Sequence, residues 1–172
     1  MHPPDDEDLQ LGVSKGPIAL DRIAAIRDFS TLMASQARRE LLIFGRTLES
    51  RLYDQQPFIE AVRRLALARP ALSTRILLFD PREAAESGHR LVDLARHLTS
   101  RIAIRRVDDD DRDRLDAFLV ADERGYVRRR LADTMEAVAD FSNPLEARQL
   151  RVAFNELWER GTPDAELRRL FI

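Results

Sequence analysis

The chain has 172 residues, 44% hydrophobic and 34% charged, with a formal net charge of −2, enough apolar material for one domain of ordinary size with a proper core. The absence of cysteine excludes disulfides, thiolate metal sites and cysteine nucleophiles, and suits a reducing compartment. With no run of eighteen apolar residues, and an acidic start where a secretory signal is basic and then apolar, the chain reads as a soluble, cytoplasmic protein without a membrane span.

The charge is unevenly placed. Asp5, Asp6, Glu7 and Asp8 give the first ten residues −4. Asp108, Asp109, Asp110, Asp111, Asp113 and Asp116, against Arg112 and Arg114, give residues 108–116 another −4, which leaves +6 on the remainder. A basic remainder is the footprint expected of a phosphate binder. Yet all but one of the 28 basic residues are Arg, Lys15 being the exception. So uniform a bias across the chain reads as compositional, and argues against nucleic acid as the ligand.

Residues 1–16 are polar, with Pro3, Pro4, Gly12 and Gly16, and are expected to form a disordered acidic tail. A single α/β domain is expected over 17–172. From Ile18 onward, Ile23, Ile26, Phe29, Leu32, Met33 and Ala37 recur at helical steps, with Asp21 placed to cap. "ELLIFG" is a strand covered on both faces. "RTLESRLYDQQP" is an irregular connection whose Leu48, Leu52 and Tyr53 need an apolar neighbour. Pro57 opens a second helix that stops before Pro70.

"TRILLFD" is a second buried strand, residues 82–99 a third helix, and "RIAIRRV" a strand with one polar face. After the acidic loop, "LDAFLVAD" and "YVRRRL" are joined by "ERG" as a hairpin, and "MEAVADF" is one more strand. Pro144 opens the last long helix, which Gly161 stops, and "PDAELRRLFI" forms a short terminal helix whose Leu170, Phe171 and Ile172 dock elsewhere. The order gives an α/β fold, a mixed β-sheet flanked by helices, parallel where helices cross over and antiparallel at the hairpin.

Three stretches then carry a resemblance. "FLVAD" ends an apolar strand in Asp122; Glu136 in "EAVADFSNP" lies eight residues before Pro144; and "ARQLRVAFNELWE" sets Phe154 and Trp158 four residues apart. Together they resemble a half-domain of the phospholipase D-like superfamily over roughly residues 40–160. That family carries His-x-Lys-x-x-x-x-Asp on its central strand, followed by a Gly-Ser and Asn segment. Counting back from Asp122 puts Leu115 at the His position and Ala117 at the Lys position, and no Gly-Ser pair follows Gly125. A phosphoenzyme mechanism needs the imidazole as nucleophile and the lysine, serine and asparagine on the phosphate oxygens. The resemblance therefore implies the fold with degenerate motif positions at Leu115, Ala117, Asp122 and Glu136. No catalytic residue and no cofactor are assigned. Asp122 is expected to accept backbone or Arg hydrogen bonds near its turn.

Other clusters have a bland and a sharp reading. His89, Asp93 and His97 fall on one stripe of the third helix, a weak metal set beside the plainer reading of a solvated face. The acidic loop lacks the turn glycine and closing glutamate of a calcium loop, and reads as solvated and mobile. Arg105, Arg128, Arg129 and Arg130 offer an anion site through forked hydrogen bonds, against solvent exposure and pairing with nearby Asp. Ser142 and Asn143 before Pro144 read as a helix cap.

The active family pairs two halves, in one chain or as a dimer, across the motif-bearing edges. The resemblance thus implies an unreactive binding or structural module of the kind found in small bacterial proteins of unknown function, as a homodimer or with another protein partner, including as an accessory to an acetyltransferase. The alternatives are a metal-dependent phosphodiesterase or nuclease built on the histidine stripe or the acidic loop, and Arg-mediated binding of nucleic acid.

Overall fold

The structure, a computed structural model, describes residues 8–163. Its strands are β1 (Ile18–Leu20), β2 (Leu41–Gly45), β3 (Thr74–Leu78), β4 (Ile102–Arg106), β5 (Ala117–Ala121), β6 (Gly125–Arg129), β7 (Ala137–Asp140) and β8 (Thr162–Pro163). Between them lie helices α1 (Ile23–Gln36), α2 (Ser50–Tyr53), α3 (Gln56–Ala68), α4 (Arg82–Glu86), α5 (Arg90–His97) and α6 (Pro144–Arg160). The strands form one open mixed sheet in the order β1-β7-β6-β5-β2-β3-β4-β8. Strands β2, β3 and β4 run parallel through helical crossovers, while β5, β6 and β7 form an antiparallel meander against β2.

The continuous apolar runs are explained by burial on both faces. In β2, Leu41 and Ile43 join the core under α1, α3 and α5, whereas Leu42 and Phe44 point into the core under α6. Strand β5 alternates in the same way, with Leu119 and Ala121 on the first face and Phe118 and Val120 on the second. Helix α6 covers its face with Ala147, Leu150, Phe154, Leu157 and Trp158, and the Phe154 and Trp158 rings stack at 5.7 Å. Pro144 opens α6 and Asn143 caps it by accepting from the Glu146 N–H at 3.2 Å, as the sequence suggested.

Five local expectations change. Residues 8–16 are not a loose tail: Leu9 is buried, Gln36 holds the Leu9 carbonyl and the Leu11 N–H at 2.8 and 2.7 Å, and Gly12 donates to Phe141 O. Residues 1–7 lie outside the described residues. The stretch from Ile18 begins as an edge strand paired with β7 rather than as helix, and the Asp21 side chain caps nothing. The helix expected over 82–99 is two short helices broken at Gly88, whose φ of +72° suits glycine. The connection expected to be irregular contains α2, and its Leu48, Leu52 and Tyr53 find their apolar neighbours in the chain's own core. Residue pair Thr162–Pro163 adds a strand beside β4; the stretch expected to form a terminal helix with Leu170, Phe171 and Ile172 lies, from residue 164 on, outside the described residues.

Candidate functional site

The parallel strands β2 and β3 end where β5 begins, because β5 runs antiparallel to β2 with Phe44 opposite Phe118. Strand β6 finishes at the same end, with Arg129 directly opposite Ala117. The motif-bearing positions therefore stand at the carboxyl end of the parallel strands, where open α/β sheets place their ligands.

Period-two alternation splits this end into two ionic clusters, one per face. On the α6 face, buried Asp116 accepts from Arg114 through Nε at 2.9 Å and Nη2 at 2.7 Å, and from Arg128 Nε at 3.1 Å. Arg128 also approaches Glu146 of α6 at 3.5 Å, and the Arg114 guanidinium lies over the Phe44 and Phe118 rings at 5.9 and 5.7 Å.

On the opposite face the small side chain of Ala117, packed beside Gly45, leaves room for the long one across the ladder. The buried guanidinium of Arg129 fills that room. It makes a forked pair with Glu49, whose Oε1 lies 3.1 Å from Nη1 and whose Oε2 takes Nη2. It also donates to the carbonyls of Ala132 at 2.9 Å and Thr134 at 3.4 Å. Tyr53 lies beneath this pair; burial, opposed by the charge of Arg129 and reinforced by that of Glu49, holds its hydroxyl well above the ordinary tyrosine range. The recess left over is about 180 Å³, lined by Arg46, Thr47, Glu49, Arg129, Ala132 and Asp133. That is smaller than the roughly 300 Å³ at which small-molecule sites begin.

The four motif positions do not converge. Leu115 is 54% exposed at the strand's start, and its carbonyl accepts from the Ala132 N–H at 2.7 Å. Asp122 sits at the other end of β5, where its oxygens accept from the N–H groups of Arg38, Arg39 and Glu40 at 2.8, 2.7 and 2.9 Å. Asp122 and Glu123 both adopt positive φ to turn the hairpin. Glu136 is exposed just before β7.

The arginines read as one anion site are dispersed. Arg105 lies on β4, four strands from β6 in the sheet order, so roughly 19 Å away at strand spacing. It lies 4.4 Å over the Trp158 ring and donates to the Trp158 carbonyl. Arg128 and Arg129 are ion-paired on opposite faces, and Arg130 is exposed. The acidic loop is tied down: Asp109 meets Arg106 and Arg112, and Asp111 takes a forked pair from Arg160. Those two carboxylates face guanidinium groups.

The histidine stripe is broken by the same helix break. His89 is the N-cap of α5, its buried Nδ1 accepting from the Leu91 N–H at 3.1 Å. His97 Nδ1 lies 2.7 Å from the Asp93 carbonyl, and the Asp93 carboxylate meets Arg96 at 3.4 Å. Among the described residues no three His, Cys, Asp or Glu side chains are grouped to hold a metal ion.

Burial lowers the His89 pKa, opposed by the nearby charges of Asp54 and Asp93 and helped by Arg90. A histidine depressed in the fold is protonated first in the unfolded chain, so stability is expected to fall as pH drops through about 6.5. The loss stops growing below the folded pKa. His89→Asn, which keeps a capping acceptor, is expected to show a flatter dependence of Tm on pH between about 7.5 and about 5.5; equal slopes in thermal melts would contradict this.

Sequence reasoning missed the ion pairs because their partners are remote. Glu49 and Arg129 are 80 residues apart, and Glu40 and Arg151 111 apart. No local pattern signals either.

The family described as a domain of unknown function (DUF7931) matches residues 22–170. No curated protein gives a significant match. Among solved structures, TrmBL2, an archaeal chromatin protein that binds DNA, superposes with a TM-score of 0.62 at 17% identity over 91% of this chain. The chain spans 56% of the length of TrmBL2. Nuc, a phospholipase D family member from Salmonella typhimurium, gives a TM-score of 0.57 at 11% identity, covering 87% of this chain and 99% of Nuc. NucT from Helicobacter pylori gives 0.56 at 8% identity with the same coverage. At these identities the likeness is one of fold, and the sheet is of the phospholipase D type. Among the described residues no helix is long and apolar enough to cross a membrane.

Proposed function

The chain belongs to the family described as a domain of unknown function (DUF7931), and from that premise we propose that it is a non-catalytic phospholipase D-like module that associates with a second copy through its motif-bearing sheet end. The observation that carries this reading is the Arg129–Glu49 pair filling the space beside Ala117. A side chain placed there to meet a phosphate would compete with a guanidinium already satisfied by four acceptor contacts.

Support for self-association comes from the rim. Leu115, Leu131 and Met135 are 54%, 47% and 49% exposed, and the loop bearing the latter two is tied to Leu115 by the Ala132 N–H. Exposed apolar side chains at one sheet end favour burial against a partner. An identical copy meets them symmetrically, as in the pairing of halves that the resemblance implies.

Light scattering is expected to give twice the 19.8 kDa chain mass. Leu115→Asp with Met135→Asp is expected to return the single-chain mass with an unchanged circular dichroism spectrum. A single-chain mass for the unaltered protein up to roughly 100 μM, far above the Kd of a standard-sized interface, would overturn the pairing. Turnover of a generic phosphodiester on adding Mn²⁺ or Zn²⁺, lost in His97→Ala, would overturn the non-catalytic reading. TrmBL2, which shares the fold, binds DNA, so nucleic acid is kept as a ligand to test.

A further inference from the structure

The opposite end of the sheet holds a different kind of surface. A recess of about 790 Å³ opens there between the end of α1, the α1–β2 connection, α3, the hairpin turn and the packed N-terminal turn, lined among others by Arg38, Arg39, Arg64, Arg124 and Asp122. Its volume lies within the roughly 300–1,000 Å³ of small-molecule sites. We infer that this recess binds a phosphate group through Arg38, Arg39, Arg64 and Arg124. The inference does not depend on self-association at the other end.

The recess gathers several arginines around one carboxylate. Elsewhere the guanidinium groups of Arg75, Arg90, Arg112, Arg114, Arg128, Arg129, Arg151 and Arg160 meet carboxylates, while Arg101 and Arg105 are held by backbone carbonyls. Here none of the four has a carboxylate partner among the described residues. Four positive charges surround one negative charge, and that charge is engaged: both Asp122 oxygens point at backbone N–H groups of the connection that bears Arg38 and Arg39. The neighbouring Glu123 and Glu40 carboxylates are taken by Arg151.

The walls and the Arg64 guanidinium are held in place, and the side chains of Arg38, Arg39 and Arg124 are left to adapt. Gln36 clamps Leu9 and Leu11, Gly12 donates to Phe141 O at 2.7 Å, and Arg64 Nη2 donates to the Ala37 carbonyl at 2.8 Å. The side chain of Arg124 crosses Gly12, where a Cβ would lie 2.8 Å from its Cδ and displace it. A backbone ordered before binding leaves little to order on binding. Several planar forks around one space suit the three terminal oxygens of a phosphate better than a single carboxylate. The phosphate group can belong to a small phosphorylated metabolite or to a nucleic-acid backbone, and the probes below separate the two.

Titration of the full chain in about 50 mM salt with inorganic pyrophosphate, a mononucleotide and a labelled single-stranded oligonucleotide reads the site directly. At least one probe is expected to bind. Arg39→Ala with Arg124→Ala is expected to weaken it by at least tenfold, each lost charged hydrogen bond accounting for roughly that factor. Both residues are exposed, and alanine keeps the Arg39 N–H that Asp122 needs, so the fold is retained; an unchanged melting curve checks this. Arg82→Ala, an exposed arginine on α4, is expected to leave binding as it was. Displacement of the oligonucleotide by pyrophosphate and mononucleotide assigns a small phosphorylated ligand. Oligonucleotide binding that neither displaces, and that weakens roughly twentyfold between about 50 and 200 mM salt as three phosphate contacts require, assigns a nucleic-acid backbone. No binding by any probe, or equal weakening in Arg82→Ala, would overturn the inference.

Discussion

Glu49→Gln is expected to lower stability by about 2 kcal/mol, a fall in Tm of roughly 4–8 °C for a chain of this size. Removing one member of a fully buried ion pair costs roughly 3–5 kcal/mol, because the other charge is left without a counter-ion in a low dielectric. Arg129 is buried, but the Glu49 side chain is 26% exposed, so water screens part of the loss. The carbonyls of Ala132 and Thr134 continue to accept from the guanidinium. The double variant Glu49→Leu with Arg129→Met removes both charges and is expected to regain most of the loss. Thermal melts of the two variants decide the matter: a single variant within about 0.5 kcal/mol of the unaltered protein, or a double variant no better than the single, would show that the pair does not organise this end of the sheet.

Asp122→Ala is expected to cost about 3 kcal/mol, measured as a lower urea midpoint with an unchanged slope. Three backbone N–H groups lose a charged acceptor at once, and alanine takes poorly to the φ of +55° that the turn imposes. Asp122→Asn should be milder, at about 1–2 kcal/mol. Asparagine tolerates the left-handed region, and its one carbonyl oxygen can serve the Arg39 and Glu40 N–H groups that share Oδ1. Its amide nitrogen then faces the Arg38 N–H, two donors opposed. Equal loss in both variants would mean that the turn conformation, and not the hydrogen-bond set, is what Asp122 supplies.

Both predictions concern residues whose neighbours the sequence did not reveal, and the reason differs between them. Asp122 was marked by its place after an apolar strand and before a glycine-bearing turn, so a role at the turn was legible. Its partners lie 82–84 residues earlier, and only the antiparallel docking of β5 on β2 brings them together. The Arg129 pair with Glu49 had no local mark at all. A triple arginine on a strand says nothing about which of its members is buried until the register sets Arg129 opposite Ala117. The basic recess is the extreme case, since Arg38, Arg39, Arg64 and Arg124 belong to three separate segments and were lost in an arginine bias spread over the whole chain.

What the sequence determined by itself is the layered sheet. The runs "LLIFG" and "ILLF" are apolar on both faces, and a strand of that kind has to be covered on both sides, whatever else the chain does. Helices α1, α3 and α6 followed from their spacing, and α3 and α6 also from their prolines, for the same local reason. Tertiary structure alone decided three things: that Ile18–Leu20 becomes an edge strand by pairing with β7, that His89 turns from a stripe member into a buried cap, and that the ionic residues divide between the two ends of the sheet. Hydrophobic burial depends on a residue's own side chain and its period, which a sequence displays. An ion pair or a charged recess depends on which distant residues share a few ångströms of space, which only the folded chain fixes.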